Sequence, residues 1–160
     1  MLISIIISTF NSEKTIQSNI ESIKLQTYKD YQIIVIDNNS SDQTINIIKK
    51  NNLSNVKFFI EDDLGIFDAI NKGINKSSGD IISVLHSDDF YNDKDVLENV
   101  IRKFNENKNN DIVYGNLVYV KKNDINHTLR YWKPGAYKKN SFYKGWHPPH
   151  PSFFAKKKLF

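Results

Sequence analysis

Two adjacent carboxylates, Asp88 and Asp89, stand just after an apolar run from Ile81 to Leu85. Neighbouring carboxylates repel, so a pair at the edge of a site suits a cation. Hard oxygen ligands favour Mg²⁺ or Mn²⁺, which keep positions for water and phosphate. The same two residues could instead cap the helix that follows. Asp37 ends another apolar run, where a carboxylate can accept from the donor edge of a base or a ribose hydroxyl, or close an Asx turn. Thr9 and Asn11 follow the first apolar run and offer a hydroxyl and an amide to a nucleotide; Asn11 could equally cap a helix. His147 and His150 lie in Trp146-His147-Pro148-Pro149-His150-Pro151, where prolines pin the backbone. One of these imidazoles could complete a metal site or touch a diphosphate, or the cluster could be a surface loop. Trp132, Trp146 and Tyr131 could stack on a sugar ring or fill the core.

The elements that must position these groups alternate. Leu2 to Ser8 is a continuous β-branched run, as a strand buried on both faces requires. Ile16, Ile20 and Ile23 recur at helical spacing between Ser12 and Gln26, with Asn11 and Ser12 as candidate caps. Tyr31 to Ile36 reads as a second strand, broken by the turn-forming Asp37-Asn38-Asn39-Ser40-Ser41-Asp42 before a short helix with Ile45 and Ile48. Val56 to Ile60 reads as a third strand. Ile66, Ile70 and Ile74 mark a helix closed by Gly79, and Ile81 to Leu85 a fourth strand. Val96, Leu97, Val100, Ile101 and Phe104 form one helical face. Ile112 to Val120 and His127 to Trp132 read as strands of a separate antiparallel section. This order predicts an α/β fold, a doubly wound, mostly parallel sheet flanked by helices with a small antiparallel C-terminal section. Ligands of such sheets bind beyond the carboxyl ends of the strands, so the segments after strands one, two and four should share one edge.

The 160 residues suffice for one domain with a real core, and 39% hydrophobic with 25% charged residues is ordinary for a globular protein. No cysteine is present, which removes disulfides, thiolate metal sites and cysteine nucleophiles. The apolar start lacks a basic leader and a cleavage site, and no stretch reaches the roughly 18 apolar residues of a membrane span. The expected location is the cytoplasm. The net charge is +4. Lys121, Lys122, Lys133, Lys138, Lys139, Lys144 and Lys156 to Lys158 concentrate positive charge in the last third. That surface is either simply solvated or rests on anionic headgroups at the inner face of the membrane. No basic reading helix appears, so nucleic acid is not an expected partner.

Three segments in order carry a resemblance: Ser4-Ile5-Ile6-Ile7-Ser8-Thr9-Phe10-Asn11, Ile34 to Thr44, and Gly79 to Asp89. Together they resemble the second family of inverting glycosyltransferases, with the GT-A fold. Gly65 to Gly73 and Pro148 to Phe154 are similar to a bacterial surface-polysaccharide branch of the colanic-acid type. The resemblance spans the chain and implies one GT-A domain over residues 1–160, with a nucleotide-sugar-binding part at 1–110 and a metal and acceptor side at 111–160. It implies a nucleotide-diphosphate sugar as donor, a UDP-sugar favoured, a glycan or lipid-linked acceptor, and a Mn²⁺ or Mg²⁺ cofactor. By the same resemblance Thr9, Asn11, Asp37, Asp68, Lys72 and Asp88 bind the nucleotide, and Asp89 and Asp88 the metal, with His150 added as a candidate metal ligand on its own chemistry.

Two departures from the family pattern stand out. His86 occupies the first acidic position of the Asp-any-Asp signature, which puts the choice of metal in question. The family's catalytic base belongs to a segment beyond the Pro148-to-Phe154 stretch, so the base is expected past Phe160 and the chain is expected to be the donor half of a longer enzyme, poorly active alone. The rival reading is a non-catalytic sugar-nucleotide-binding fragment.

Overall fold

A computed structural model describes residues 1–53, 55–122 and 124–160. A six-stranded sheet carries the molecule, in the order β3-β2-β1-β4-β8-β5. Its strands are β1 (Ile3–Thr9), β2 (Tyr31–Asp37), β3 (Val56–Ile60), β4 (Ile81–Val84), β5 (Ile112–Tyr114) and β8 (Phe153–Lys156). β1 to β4 run parallel, and β8 inserts antiparallel between β4 and β5. The helices are α1 (Ile16–Lys24), α2 (Thr44–Lys50), α3 (Ile66–Lys76) and α4 (Val96–Glu106).

Every residue of β1 and β2 is buried, because both faces of the central strands are covered. Ile5, Ile7, Ile33 and Val35 face the larger core, shared with Ile16, Ile20 and Ile23 of α1 and Leu97, Ile101 and Phe104 of α4. Ile6, Ile34 and Ile82 face the smaller core, where Ala69 and Ile74 of α3 meet them. Gly73 permits this second contact: a Cβ there would collide with the Ile6 side chain. Gly65, with φ of 112°, turns the chain into α3 through a conformation that L side chains rarely adopt.

The parallel α/β order read from the sequence matches this frame, while several boundaries differ. Asn11 and Ser12 do not cap α1 with their side chains; Thr15 precedes the helix, and the Ser12 carbonyl accepts from the Thr15 and Ile16 N–H groups. Gly79 lies past the end of α3, and its N–H donates to Ser4 Oγ at 2.9 Å. The segment read as one strand from Ile112 to Val120 divides. Its first part, β5, joins the main sheet through β8, a strand not anticipated from the sequence. Its second part, β6 (Leu117–Lys121), pairs antiparallel with β7 (Asp124–Trp132) as a separate two-stranded ribbon. No helix among the described residues is long and apolar enough to cross a membrane.

Candidate active site

The carboxyl ends of β1, β2 and β4 open on a cleft of about 870 Å³. Three short loops build its polar floor. After β1, Thr9 and Phe10 lead to Ser12, whose Oγ lies 2.8 Å from Ser87 Oγ. After β4 come His86, Ser87, Asp88 and Asp89, all lining the cleft. The His86 ring is fixed from below, with Nδ1 3.0 Å from Ser8 Oγ. Asn19, wholly buried on α1, donates from Nδ2 to the carbonyls of His86 and Asp89 at 2.8 and 2.9 Å. One amide therefore clamps both ends of the acidic loop.

Asp89 is the perturbed group. Burial first, then the neighbouring Asp88 carboxylate, pushes its carboxyl up to about 6, and a backbone hydrogen bond at His86 opposes this only in part. No basic side chain pairs with it among the described residues. His150 reaches the same place from the turn before β8, its ring centre 5.1 Å from that of His86. Burial lowers both imidazoles below their ordinary range, the proximity of His150 adding to the effect at His86. Both are neutral at pH 7 and able to offer a lone pair.

These residues fit a hard cation. Two carboxylates and a neutral imidazole face one cleft, and the half-buried Asp89 charge lacks a counter-ion. Among the described residues no three His, Asp or Glu side chains are already gathered for a metal. The remaining coordination would fall to phosphate and water oxygens, the habit of Mg²⁺ and Mn²⁺.

The other residues singled out from the sequence are placed unevenly. Thr9 lines the cleft, its Oγ1 buried without a partner among the described residues. Asn11, at φ 47°, does not line the cleft but a second, shallow depression that shares Ser12, Ser87 and Asp88 with it; its Oδ1 accepts from the Ser41 N–H at 2.9 Å. That bond ties the loop after β1 to the loop after β2. Asp37 is fully buried and does not line the cleft; its carboxylate accepts from Ser40 N–H at 2.8 Å and Ser40 Oγ at 2.6 Å. Asp37 thus closes its own turn, with bonds three residues on where an Asx turn would have two, and the neighbour Asn38 is the residue that reaches the cleft. Asp68 and Lys72 form an ion pair at 2.8 Å on α3, outside the lining. Asp68 also accepts from the Leu64 N–H at 3.0 Å, and Lys72 donates to the Asp62 carbonyl. They brace the loop from which Asp63 and Gly65 face the cleft. His147 packs edge-on against Trp132, away from His86.

Sequence reasoning missed Asn19, Ser12, Asn38 and Asp63. A signal existed for Asn19: an amide amid Ile16, Ile20 and Ile23, on the apolar face of its helix, must find a partner when buried. Nothing local marks Asp63.

A mostly parallel six-stranded sheet with a small antiparallel ribbon is the arrangement of the GT-A glycosyltransferases. The family model described as "Glycosyl transferase family 2" matches residues 4–157, and the chain belongs to that family. Among curated relatives, it is 30% identical over 120 residues to the "PGL/p-HBAD biosynthesis glycosyltransferase" of Mycobacterium bovis, covering 73% of this chain and 47% of that one. It is also 30% identical over 127 residues to the "GalNAc(5)-diNAcBac-PP-undecaprenol beta-1,3-glucosyltransferase" of Campylobacter jejuni, covering 77% and 40%. The chain thus spans about half or less of these relatives' length. Among solved structures, residues 1–349 of S. aureus TarS in complex with UDP-GlcNAc superpose with a TM-score of 0.66 at 28% identity, over 76% of this chain and 35% of that one. The mannosyltransferase PcManGT of Pyrobaculum calidifontis, in complex with GDP-Man and Mn²⁺, shares the fold, with a TM-score of 0.64 at 18% identity over 78% and 37%.

Proposed function

We propose that the cleft is the donor site of an inverting glycosyltransferase of the hexosyltransferase type, passing a sugar from a nucleoside diphosphate to a glycan or lipid-linked acceptor in surface polysaccharide assembly. The observation that carries this reading is Asp89, a carboxylate held half-buried and without a counter-ion at the mouth of the cleft, beside Asp88 and His150. The complexes of TarS with UDP-GlcNAc and of PcManGT with GDP-Man and Mn²⁺ support it, and the undecaprenol-linked relative supports a lipid-linked acceptor.

In this reading Thr9, with its unpartnered buried hydroxyl, and Asn11 meet the nucleotide, and Asp88 approaches the ribose. Asp37 acts through the turn it closes, setting Asn38 against the base. Asp68 and Lys72 act through the loop they brace, setting Asp63 and Gly65. Asp89, Asp88 and His150 would hold Mn²⁺ or Mg²⁺, which would supply positive charge against the diphosphate of the donor. Asn19 keeps the acidic loop in place, so the carboxylates need little rearrangement at the moment of binding.

The test is a thermal melt with UDP or GDP and Mn²⁺. Ligand at a hundredfold excess over Kd should stabilise the native state by about 2.7 kcal/mol. No shift with any nucleoside diphosphate at millimolar concentration removes the reading.

One observation favours the second reading, donor binding without transfer. Past Asp89 the described acids are Asp93, Asp95, Glu98, Glu106, Asp111 and Asp124, and none of them lines the cleft. Direct displacement needs a base for the acceptor hydroxyl, worth about 10²–10⁴-fold in rate. Release of nucleoside diphosphate by residues 1–160 should therefore be slow and indifferent to acceptor. Rapid acceptor-dependent release would instead assign the base to the cleft itself.

A further inference from the structure

The segment from Leu117 to Trp146 is built unlike the rest of the molecule. β7 is exposed at every residue from Asp124 to Tyr131. Seven Lys or Arg stand against one acid, Asp124, a net of +6 where the whole chain carries +4. All seven are exposed, and none is ion-paired among the described residues. Two of the seven lie over rings instead. The Arg130 guanidinium is 5.6 Å from the Tyr119 ring centre and 5.9 Å from that of Trp132, and Lys133 Nζ is 5.2 Å from that of Tyr131. Large apolar groups remain in solvent, Leu129 at 62% and Tyr143 at 92% exposure.

Rings with one wet end and cations on long apolar stems suit the boundary between water and lipid, where the stem lies in the apolar layer and the charge meets phosphate. A second copy of the chain would bring a like-charged face against this one, at a repulsive cost. We propose that the β6–β7 ribbon and the following loop, residues 133–146, dock the protein on an anionic lipid surface. Lys122, at the ribbon's turn, shares a shallow depression with Ser87 and Asp88, so docking sets the mouth of the cleft beside the lipid. The docking contact uses no donor-site residue and stands whether or not the cleft transfers sugar.

The experiment is co-sedimentation of the full chain with phosphatidylcholine vesicles, with and without phosphatidylglycerol, and with soluble polyphosphate as competitor. The chain should bind only the anionic vesicles and be released at about 0.5 M salt, where screening shortens to a few ångströms. Each cation near the surface contributes on the order of fivefold to partition. The triple variant Arg130→Glu, Lys133→Glu, Lys138→Glu should therefore bind at least about a hundredfold more weakly with an unchanged melting temperature. Leu129→Ser with Tyr143→Ser should weaken vesicle binding about tenfold while leaving any polyphosphate binding untouched. Failure to bind anionic vesicles, or full binding by the triple variant, overturns the proposal. So does vesicle binding unaffected by the serine pair, with polyphosphate competing fully, which would make a soluble polyanion the ligand. Since melts with nucleotide read the cleft and sedimentation reads the ribbon, failure of either leaves the other standing.

Discussion

The two ends of the central strands carry polar groups in similar number and use them in opposite ways. At the amino end the Gln32 amide lies 2.7 Å from Ser4 Oγ and 2.9 Å from Ser78 Oγ, Gly79 N–H donates to Ser4, and Leu2 N–H donates to Asp80. Those groups satisfy one another. At the carboxyl end Thr9 Oγ1 is buried and unpartnered, and Asp89 is desolvated beside Asp88. A closed network stabilises the fold, while an open one is costly until a ligand arrives. The contrast marks the carboxyl end as the candidate site without reference to any motif.

The sharpest way to break this comparison is Asp89→Ala. It should remove the metal-dependent part of nucleotide binding, a loss of at least about 100-fold, since even partners that only orient metal ligands contribute 10–100-fold. Calorimetric titration with and without Mn²⁺ reads it, and equal metal dependence in both proteins excludes Asp89 as a ligand. Asp37→Ala should instead weaken nucleotide binding with or without metal and cost about 2–3 kcal/mol of stability, because the Ser40 N–H and hydroxyl both lose their acceptor. Normal nucleotide affinity in that variant would confine Asp37 to the fold.

Smaller effects sharpen the contrast. Asn19→Leu strips the clamp from the acidic loop and should cost about 1–3 kcal/mol in urea unfolding while also weakening metal binding. Ser4→Ala, at the closed end, should cost about 1–2 kcal/mol and leave nucleotide titration unchanged. If Ser4→Ala moves the titration as much as Asn19→Leu, the two ends are not separate.

The pH dependence of the metal-free protein follows from Asp89. Its carboxyl binds the proton more tightly folded, at about 6, than unfolded, at the ordinary 3.8. Asp89 therefore contributes a loss of native stability as pH rises between those values, complete above the folded value, against the gain from acids held below their ordinary range such as Asp68 and Asp111. Asp89→Asn should flatten this slope and stabilise the metal-free protein by about 2 kcal/mol at pH 7.5, after allowance for partial solvent screening. Melting temperatures of the two proteins from pH 4 to 8 check it (the window is set by the two values above); a difference between them that does not grow in favour of Asp89→Asn through that range contradicts the burial of Asp89.

What the residues alone determined was the alternation of elements and the edge where chemistry sits. Runs such as Ile5-Ile6-Ile7 and Ile33-Ile34-Val35-Ile36 are too apolar for one-sided burial, so they had to become central strands, and the polar segments after them had to share an end. Asp88 and Asp89 were legible for that reason. Only the tertiary structure decided what meets at that end. The four-residue β8 reads as any short apolar stretch, and its place between β4 and β5 depends on pairing with strands about 40 and 70 residues earlier in the chain. That pairing carries His150 to His86. The same non-local packing turned Asp37 inward to Ser40, moved the cleft contact to Asn38, and stood the β6–β7 ribbon clear of the core. Local periodicity records which face of an element is apolar, whereas the partner of a buried polar group is set by whichever chain segment folds against it.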